Sequence, residues 1–225
     1  METDIKKQAY LAFDTAYYQG MVTLFSRDGM LFAEQLSEKM SHAREICQAM
    51  ARVVERAEAL QFNIAGLYAG RGPGSFVGVR VALATAMGYS FAKDLPLFGF
   101  CSHLALAYSI EAAGNFYIFM KASGDLGYFA EYYAMNDTIK VLTEAQVISI
   151  EDLRVRVNPC VTVYSDVPEK LITSAPELIA KNLAGPTEQG IMRAALFARA
   201  HKTDSIKPNY IKPPNVSTAA CRLAA

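Results

Sequence analysis

The residues able to do chemistry are few and scattered. Asp14 closes a short apolar run over residues 10–14 and is followed by Thr15, an arrangement that caps a turn. His42, His103 and His201 lie far apart and form neither an H-x-x-x-H nor an H-E-x-x-H pair, so no zinc site can be drawn from them. His42 and His103 each begin an expected helix, where packing is the simpler role. Ser75 has no histidine near it in sequence and does not stand in a G-x-S-x-G frame, which excludes a hydrolase elbow. Cys47, Cys101, Cys160 and Cys221 form no C-x-x-C pair, so buried thiols in a reducing cytosol are expected rather than a disulfide framework.

The densest signal is Gly70-Arg71-Gly72-Pro73-Gly74-Ser75-Phe76-Val77-Gly78-Val79-Arg80. A short apolar run ending at Ala69 precedes it, and an alanine-rich segment without proline follows it to Ala92. The pattern predicts strand, tight turn and helix. A glycine loop that opens a helix offers free N–H groups and a positive dipole end, which would suit a phosphate. Yet no Walker A lysine follows at the required spacing, and Ser75 and Val77 stand where a dinucleotide motif needs its third glycine. A ligand cradle at Gly72, Pro73, Gly74, Ser75 and Arg80 and a purely structural turn therefore both remain open.

The helix after the loop has two apolar sides. At about 100° per residue, Gly78, Ala82, Thr85, Ala86, Gly88 and Ala92 fall on one side with Tyr89, and Val79, Leu83, Met87 and Phe91 on the other. The bulky side is expected over a sheet. The small side is expected against a partner helix, with Val81 at its edge and with His42 and Ile46 of the preceding helix beside it.

These elements sit in a chain of 225 residues, 52% hydrophobic and 20% charged, enough for a substantial core. Lys+Arg and Asp+Glu both total 22, which argues against a free-standing nucleic-acid binder. Between residues 193 and 222, Arg193, Arg199, Lys202, Lys207, Lys212 and Arg222 against Asp204 alone leave a local net charge of +5. A solvated face and an anionic partner are the two readings of that stretch. The first residues, Met1-Glu2-Thr3-Asp4, do not resemble a signal peptide, and no apolar run reaches the roughly 20 residues of a membrane span. A cytoplasmic protein with no membrane association is expected.

In chain order, strands are expected at 10–14, 20–26 and 30–36, with Asp28-Gly29 as a hairpin turn. Ser41 can cap a helix to about residue 60 whose apolar stripe is His42, Ile46, Ala49, Met50, Val53, Ala57 and Leu60. The strand before the glycine loop, the loop helix, a strand at 96–100 and a helix at 102–112 follow. A second meander is expected at 116–121, 128–134 and 138–142, then an ambiguous stretch at 144–156. After it come a strand at 161–164, one or two helices in 168–184 and a helix over 186–200. The order strand-strand-strand-helix-strand-helix thus appears twice. The fold class is α/β, an actin-like (ASKHA) arrangement of two ribonuclease-H-like subdomains. They divide as 1–107 and 108–225, with the tail able to return to the first. In that fold an acid ending the first strand holds the metal of a bound nucleotide. Asp14 occupies the place, but Ala16, Tyr17 and Tyr18 crowd the turn.

Phe13-Asp14-Thr15-Ala16, His42 at a helix start, the glycine segment from Gly70 to Arg80 and Asp94-Leu95-Pro96-Leu97-Phe98-Gly99 together resemble the TsaB (YeaZ) family. Pro208-x-Tyr210-Ile211-Lys212 is similar to its C-terminal motif. The resemblance is dense over residues 9–107 and thin beyond. It implies a non-catalytic subunit in the formation of threonylcarbamoyladenosine in tRNA, paired through N-terminal helices with the catalytic paralogue TsaD or with a second copy. A TsaE-like ATPase is a further implied partner, and tRNA is reached only through the complex. No cofactor is implied, a nucleotide entering only with a partner. The sequence departs from the family at Val77, usually Thr. It departs again at Lys121-Ala122-Ser123 and Leu126-Gly127-Tyr128-Phe129, where two carboxylates are missing. The alternative is an ATPase or phosphotransferase of the same fold, using Asp14 and a second acid near Lys121; lysine there speaks against it.

Overall fold

The computed structural model describes residues 7–37, 42–201 and 205–211. The first half runs β1 (Lys7–Asp14), β2 (Met21–Ser26), β3 (Gly29–Gln35), α1 (His42–Ala59), β4 (Phe62–Gly70), α2 (Phe76–Lys93), β5 (Leu97–Phe100) and α3 (Ser102–Ala107). The second half repeats the order as β6 (Gly114–Ser123), β7 (Leu126–Met135), β8 (Thr138–Ser149), α4 (Ile150–Arg156), β9 (Val163–Ser165), α5 (Pro168–Ser174), β10 (Ala180–Asn182) and α6 (Glu188–Ala200). The sheets are ordered β3-β2-β1-β4-β5 and β8-β7-β6-β9-β10, so the repeat of element order is also a repeat of topology. Each half is an antiparallel meander whose first strand then pairs in parallel, β1 with β4 and β6 with β9. This is the actin-like α/β fold expected from the sequence.

The pleat sorts side chains between cores, because alternate residues of a strand point to opposite faces. On β1, Ala9, Leu11 and Phe13 face α1 and α2, while Tyr10 and Ala12 face α6. On β6, Phe116, Ile118 and Met120 join the core shared with the first half, whereas Tyr117 and Phe119 meet Leu153 of α4 and Leu171 of α5. Helix α6 therefore covers the far face of the first sheet with Ile191, Ala194, Ala195 and Ala198. Behind it, residues 205–211 lie across the glycine loop, where Asn209 N–H donates to the Arg71 carbonyl at 2.7 Å.

Several elements differ from the sequence expectation. The helix over 102–112 stops at Ala107, because Ser109 donates to the Ala105 carbonyl (2.7 Å) and accepts the Thr187 N–H (2.8 Å), committing that turn to the start of α6. The ambiguous stretch divides at Ser149, which closes β8 and caps α4 in a reciprocal box with Asp152. Within 168–184 only the first part is helical, and 180–182 adds an edge strand beside β9. On α1 the expected stripe is buried or half-buried, except that Leu60 lies beyond the helix and is exposed. The expected cap Ser41 lies outside the described residues, as do Met1-Glu2-Thr3-Asp4, Lys202, Asp204, Lys212, Cys221 and Arg222.

Candidate functional site

The glycine loop joins β4 to α2 at the centre of the molecule. Ser75 caps α2 by accepting the Gly78 N–H (3.3 Å), and its own N–H donates to the Ala16 carbonyl (2.7 Å). The Ala16 N–H in turn donates to Asp14 Oδ1 at 2.9 Å, so Asp14 caps the turn after β1, the favoured sequence reading. The loop is tightly packed where it meets the end of β1 and the start of α3. A Cβ at Gly70 would stand 2.6 Å from both Asp14 Cγ and Ser102 Oγ, so only glycine fits. Gly72 N–H donates to Ser102 Oγ (3.1 Å), and the Tyr128 hydroxyl, from the second sheet, donates to the Gly74 carbonyl (3.0 Å).

Asp14 itself is 1% exposed, and its Oδ2 has no hydrogen-bond partner among the described residues. Burial raises its carboxyl from 3.8 to about 6, opposed by the Ala16 N–H and by the Ser102 hydroxyl, which lies beside it outside hydrogen-bond geometry. Tyr17 is buried over it, and burial pushes its phenol well up. His103 is fully buried, with Nδ1 2.9 Å from the Tyr132 hydroxyl and Nε2 3.2 Å from the Tyr128 carbonyl. A carbonyl only accepts, so Nε2 carries the proton and Nδ1 accepts from Tyr132. Desolvation lowers His103 to about 4, leaving it neutral. An acid does stand near Lys121: Asp166, after β9, accepts the Lys121 N–H at 2.7 Å. Sequence reading missed it because the two are far apart along the chain. Among the described residues no three His, Cys, Asp or Glu side chains gather as metal ligands would.

Helix α2 corrects the sequence expectation about its free side. Gly78, Ala82 and Ala86, expected on a partner-facing seam, are buried in the chain's own core with Val79 and Leu83. The reason is room: Gly78 packs so close to Thr15 that the Thr15 hydroxyl donates to its carbonyl at 2.6 Å, and small residues let α2 settle onto β1 and α1. His42 and Ile46 of α1 are likewise buried, and Val81, Thr85 and Tyr89 are half-buried flanks. Met87 and Phe91, expected over the sheet, face out.

What α2 leaves free is a stripe of Val77, Arg80, Ala84, Met87, Gly88 and Phe91. Val77 is 66% exposed, Met87 49% and Phe91 93%. Large apolar side chains this exposed on one helix face mark an interaction surface rather than scattered exposure. A two-sided apolar helix gave the signal in the sequence; which side the chain itself used could not be told without the sheet.

A cleft of about 960 Å³ lies elsewhere, between the 108–114 linker, the β7–β8 turn and the start of α6. Arg193 spans it, stacked over Tyr108 at 4.8 Å and bonded to the Asp137 carbonyl. Arg199 lies over the Tyr10 ring at 4.7 Å. Two charges of the basic C-terminal stretch are thus engaged within the chain. No helix among the described residues is long and apolar enough to cross a membrane.

The model of the TsaD family, described as tRNA N6-adenosine threonylcarbamoyltransferase, matches residues 35–170. The tRNA threonylcarbamoyladenosine biosynthesis protein TsaB of Haemophilus influenzae is 28% identical over 124 residues, which cover 54% of this chain and 52% of that protein. Its Escherichia coli namesake is 31% identical over 97 residues, 43% of this chain and 42% of that protein. The chain thus aligns with about half the length of these relatives. YeaZ from Pseudomonas aeruginosa has a TM-score of 0.72 at 19% identity, covering 90% of this chain and 99% of that one, and so shares the fold. With the family model matched over more than half its length, the chain belongs to the TsaD family, and the relatives named above with which it aligns are TsaB proteins.

Proposed function

We propose that the chain is a non-catalytic scaffold or activating subunit of the complex that forms threonylcarbamoyladenosine in tRNA, acting by pairing with a TsaD-like paralogue. The observation that carries this reading is the exposed apolar stripe on α2, centred on Ala84 and Met87. Burying Val77, Met87 and Phe91 against a partner would contribute about 1.5–3 kcal/mol each, relative to exposure. The names of the Haemophilus and Escherichia relatives supply the pathway. The walled-in Asp14 supports the absence of a nucleotide cofactor in the lone chain, since a metal or phosphate would have to displace Tyr17 and Ser102 to reach it. Any tRNA contact and any TsaE-like ATPase would then come with the assembled complex.

The test is reconstitution. The paralogue, given tRNA, a preformed activated threonylcarbamoyl donor and ATP, should modify tRNA far faster when this chain is added, and the chain alone should hydrolyse no ATP. Modification that proceeds equally without the chain would overturn the reading.

A further inference from the structure

The α2 stripe carries one charge, and that charge is held in place. Arg80 Cζ lies 3.8 Å from the centre of the Phe76 ring, and its Nε donates to the Tyr210 hydroxyl at 3.0 Å. The Phe76 and Tyr210 rings are 4.8 Å apart. Tyr210 belongs to the 205–211 segment, fixed to the loop by the Asn209–Arg71 bond. A guanidinium ordered by an aromatic ring and a phenol has given up most of its rotamer freedom before any partner arrives. It remains exposed, and among the described residues no carboxylate pairs with it. Helix α2, FVGVRVALATAMGYSFAK, contains no Asp or Glu at all.

We propose that Arg80 is the specificity contact of the α2 face, and that it selects a helix of a different chain carrying a carboxylate opposite it. The proposal rests on the reading of that face as the pairing surface. An arginine among apolar side chains that become buried needs a hydrogen-bonded counter-charge, or its desolvation opposes binding. The stripe of a second copy offers only another Arg80 and no acid, so α2-to-α2 self-pairing leaves both cations uncompensated. Val77, Met87 and Phe91 around Arg80 favour a protein occupant over RNA, whose backbone would call for several clustered cations. The first turn of α2, with its positive dipole end, adds to the preference for an acid there.

The experiment is a titration of the intact chain with the intact TsaD-like paralogue by calorimetry, at low and high salt, with tRNA as a separate titrant. Arg80→Ala should weaken pairing about tenfold or more and flatten its salt dependence. Arg80→Lys should recover only part, because an ammonium cannot stack flat on the Phe76 ring, and Tyr210→Phe should fall between wild type and Arg80→Ala. Self-association should be weaker than heteropairing and unchanged or stronger in Arg80→Ala. Met87→Glu tests the underlying reading. If Met87→Glu abolishes pairing while Arg80→Ala leaves affinity and salt dependence unchanged, the proposal is overturned and the face stands. If neither variant has an effect, the reading of the face has failed. Arg80-dependent binding of tRNA alone, or self-pairing weakened by Arg80→Ala as much as heteropairing, would also overturn it.

Discussion

The Thr15 hydroxyl donates to the Gly78 carbonyl at 2.6 Å, and a Cβ at Gly78 would overlap the Thr15 carbonyl oxygen. The first turn of α2 is thereby seated on the turn that follows β1. Any side chain at Gly78 must lift the helix off that turn and break the Ser75 cap next to it. Gly78→Ala should therefore destabilise by about 3 kcal/mol or more, at the upper end of overpacking costs. Chemical denaturation would check this; a midpoint within error of wild type would show that the helix can shift freely.

The same seating decides the fate of Ala82. It is fully buried beside Val79 and Leu83, so Ala82→Glu places a carboxylate in a dry core with no partner. The expected result is a chain that fails to fold or loses several kcal/mol of stability, read by circular dichroism and thermal unfolding. A folded Ala82→Glu variant with only its pairing altered would restore the small face as the interface.

Asp14 and His103 pull the pH profile in opposite directions. Asp14 has its carboxyl raised from 3.8 to about 6 on folding, so its contribution is fully present below 3.8 and is lost as pH rises to about 6. That loss is about 3 kcal/mol for a shift of roughly two pH units. His103, lowered from 6.5 to about 4, contributes stability that is lost as pH falls through that window. The two nearly cancel between about pH 4 and 6, so wild-type stability should be flat there. Asp14→Asn keeps an oxygen for the Ala16 N–H and turns an amide toward Ser102. It should be the more stable protein at pH 8 by about 2–3 kcal/mol, with the gain vanishing near pH 4. An Asp14→Asn chain less stable at every pH would contradict the account of that carboxyl.

Tyr128 ties the second sheet to the glycine loop through the Gly74 carbonyl. Tyr128→Phe keeps the ring and should cost about 1 kcal/mol, the ordinary net value of a hydrogen bond. Faster exchange of amides at the start of α2, relative to those in β7, would locate the effect at the loop. Equal protection throughout would mean the tie carries no strain between the halves.

Much of the fold was legible because local signals agreed with one another. The Asp28-Gly29 hairpin, the α1 stripe and the twice-repeated order of elements each reappear in the structure. The misses have a common physical origin in long-range packing. Ser109 gives up a helical turn to accept the N–H of Thr187, the N-cap of α6 far along the chain, and 180–182 becomes a strand only because β9 offers an edge. The free face of α2 was misplaced for the same reason. A helix with valine, leucine and methionine on one side and alanine and glycine on the other satisfies either assignment. Only the close approach of Thr15 and α1 brings Gly78, Ala82 and Ala86 into the core beside Val79 and Leu83 and leaves Met87 and Phe91 outside. Tyr210 and Arg80 could not be joined from sequence either, being 130 residues apart.

If the exposed α2 stripe pairs this chain with a TsaD-like paralogue, Phe91, its most exposed large apolar side chain, lies at the contact. Sedimentation velocity of an equimolar mixture, wild type against Phe91→Glu, tests it most directly. A one-to-one complex is expected with wild type and separate species with Phe91→Glu, at an unchanged thermal midpoint because Phe91 makes little contact within the chain. A Phe91→Glu chain that sediments with the paralogue as wild type does would contradict it.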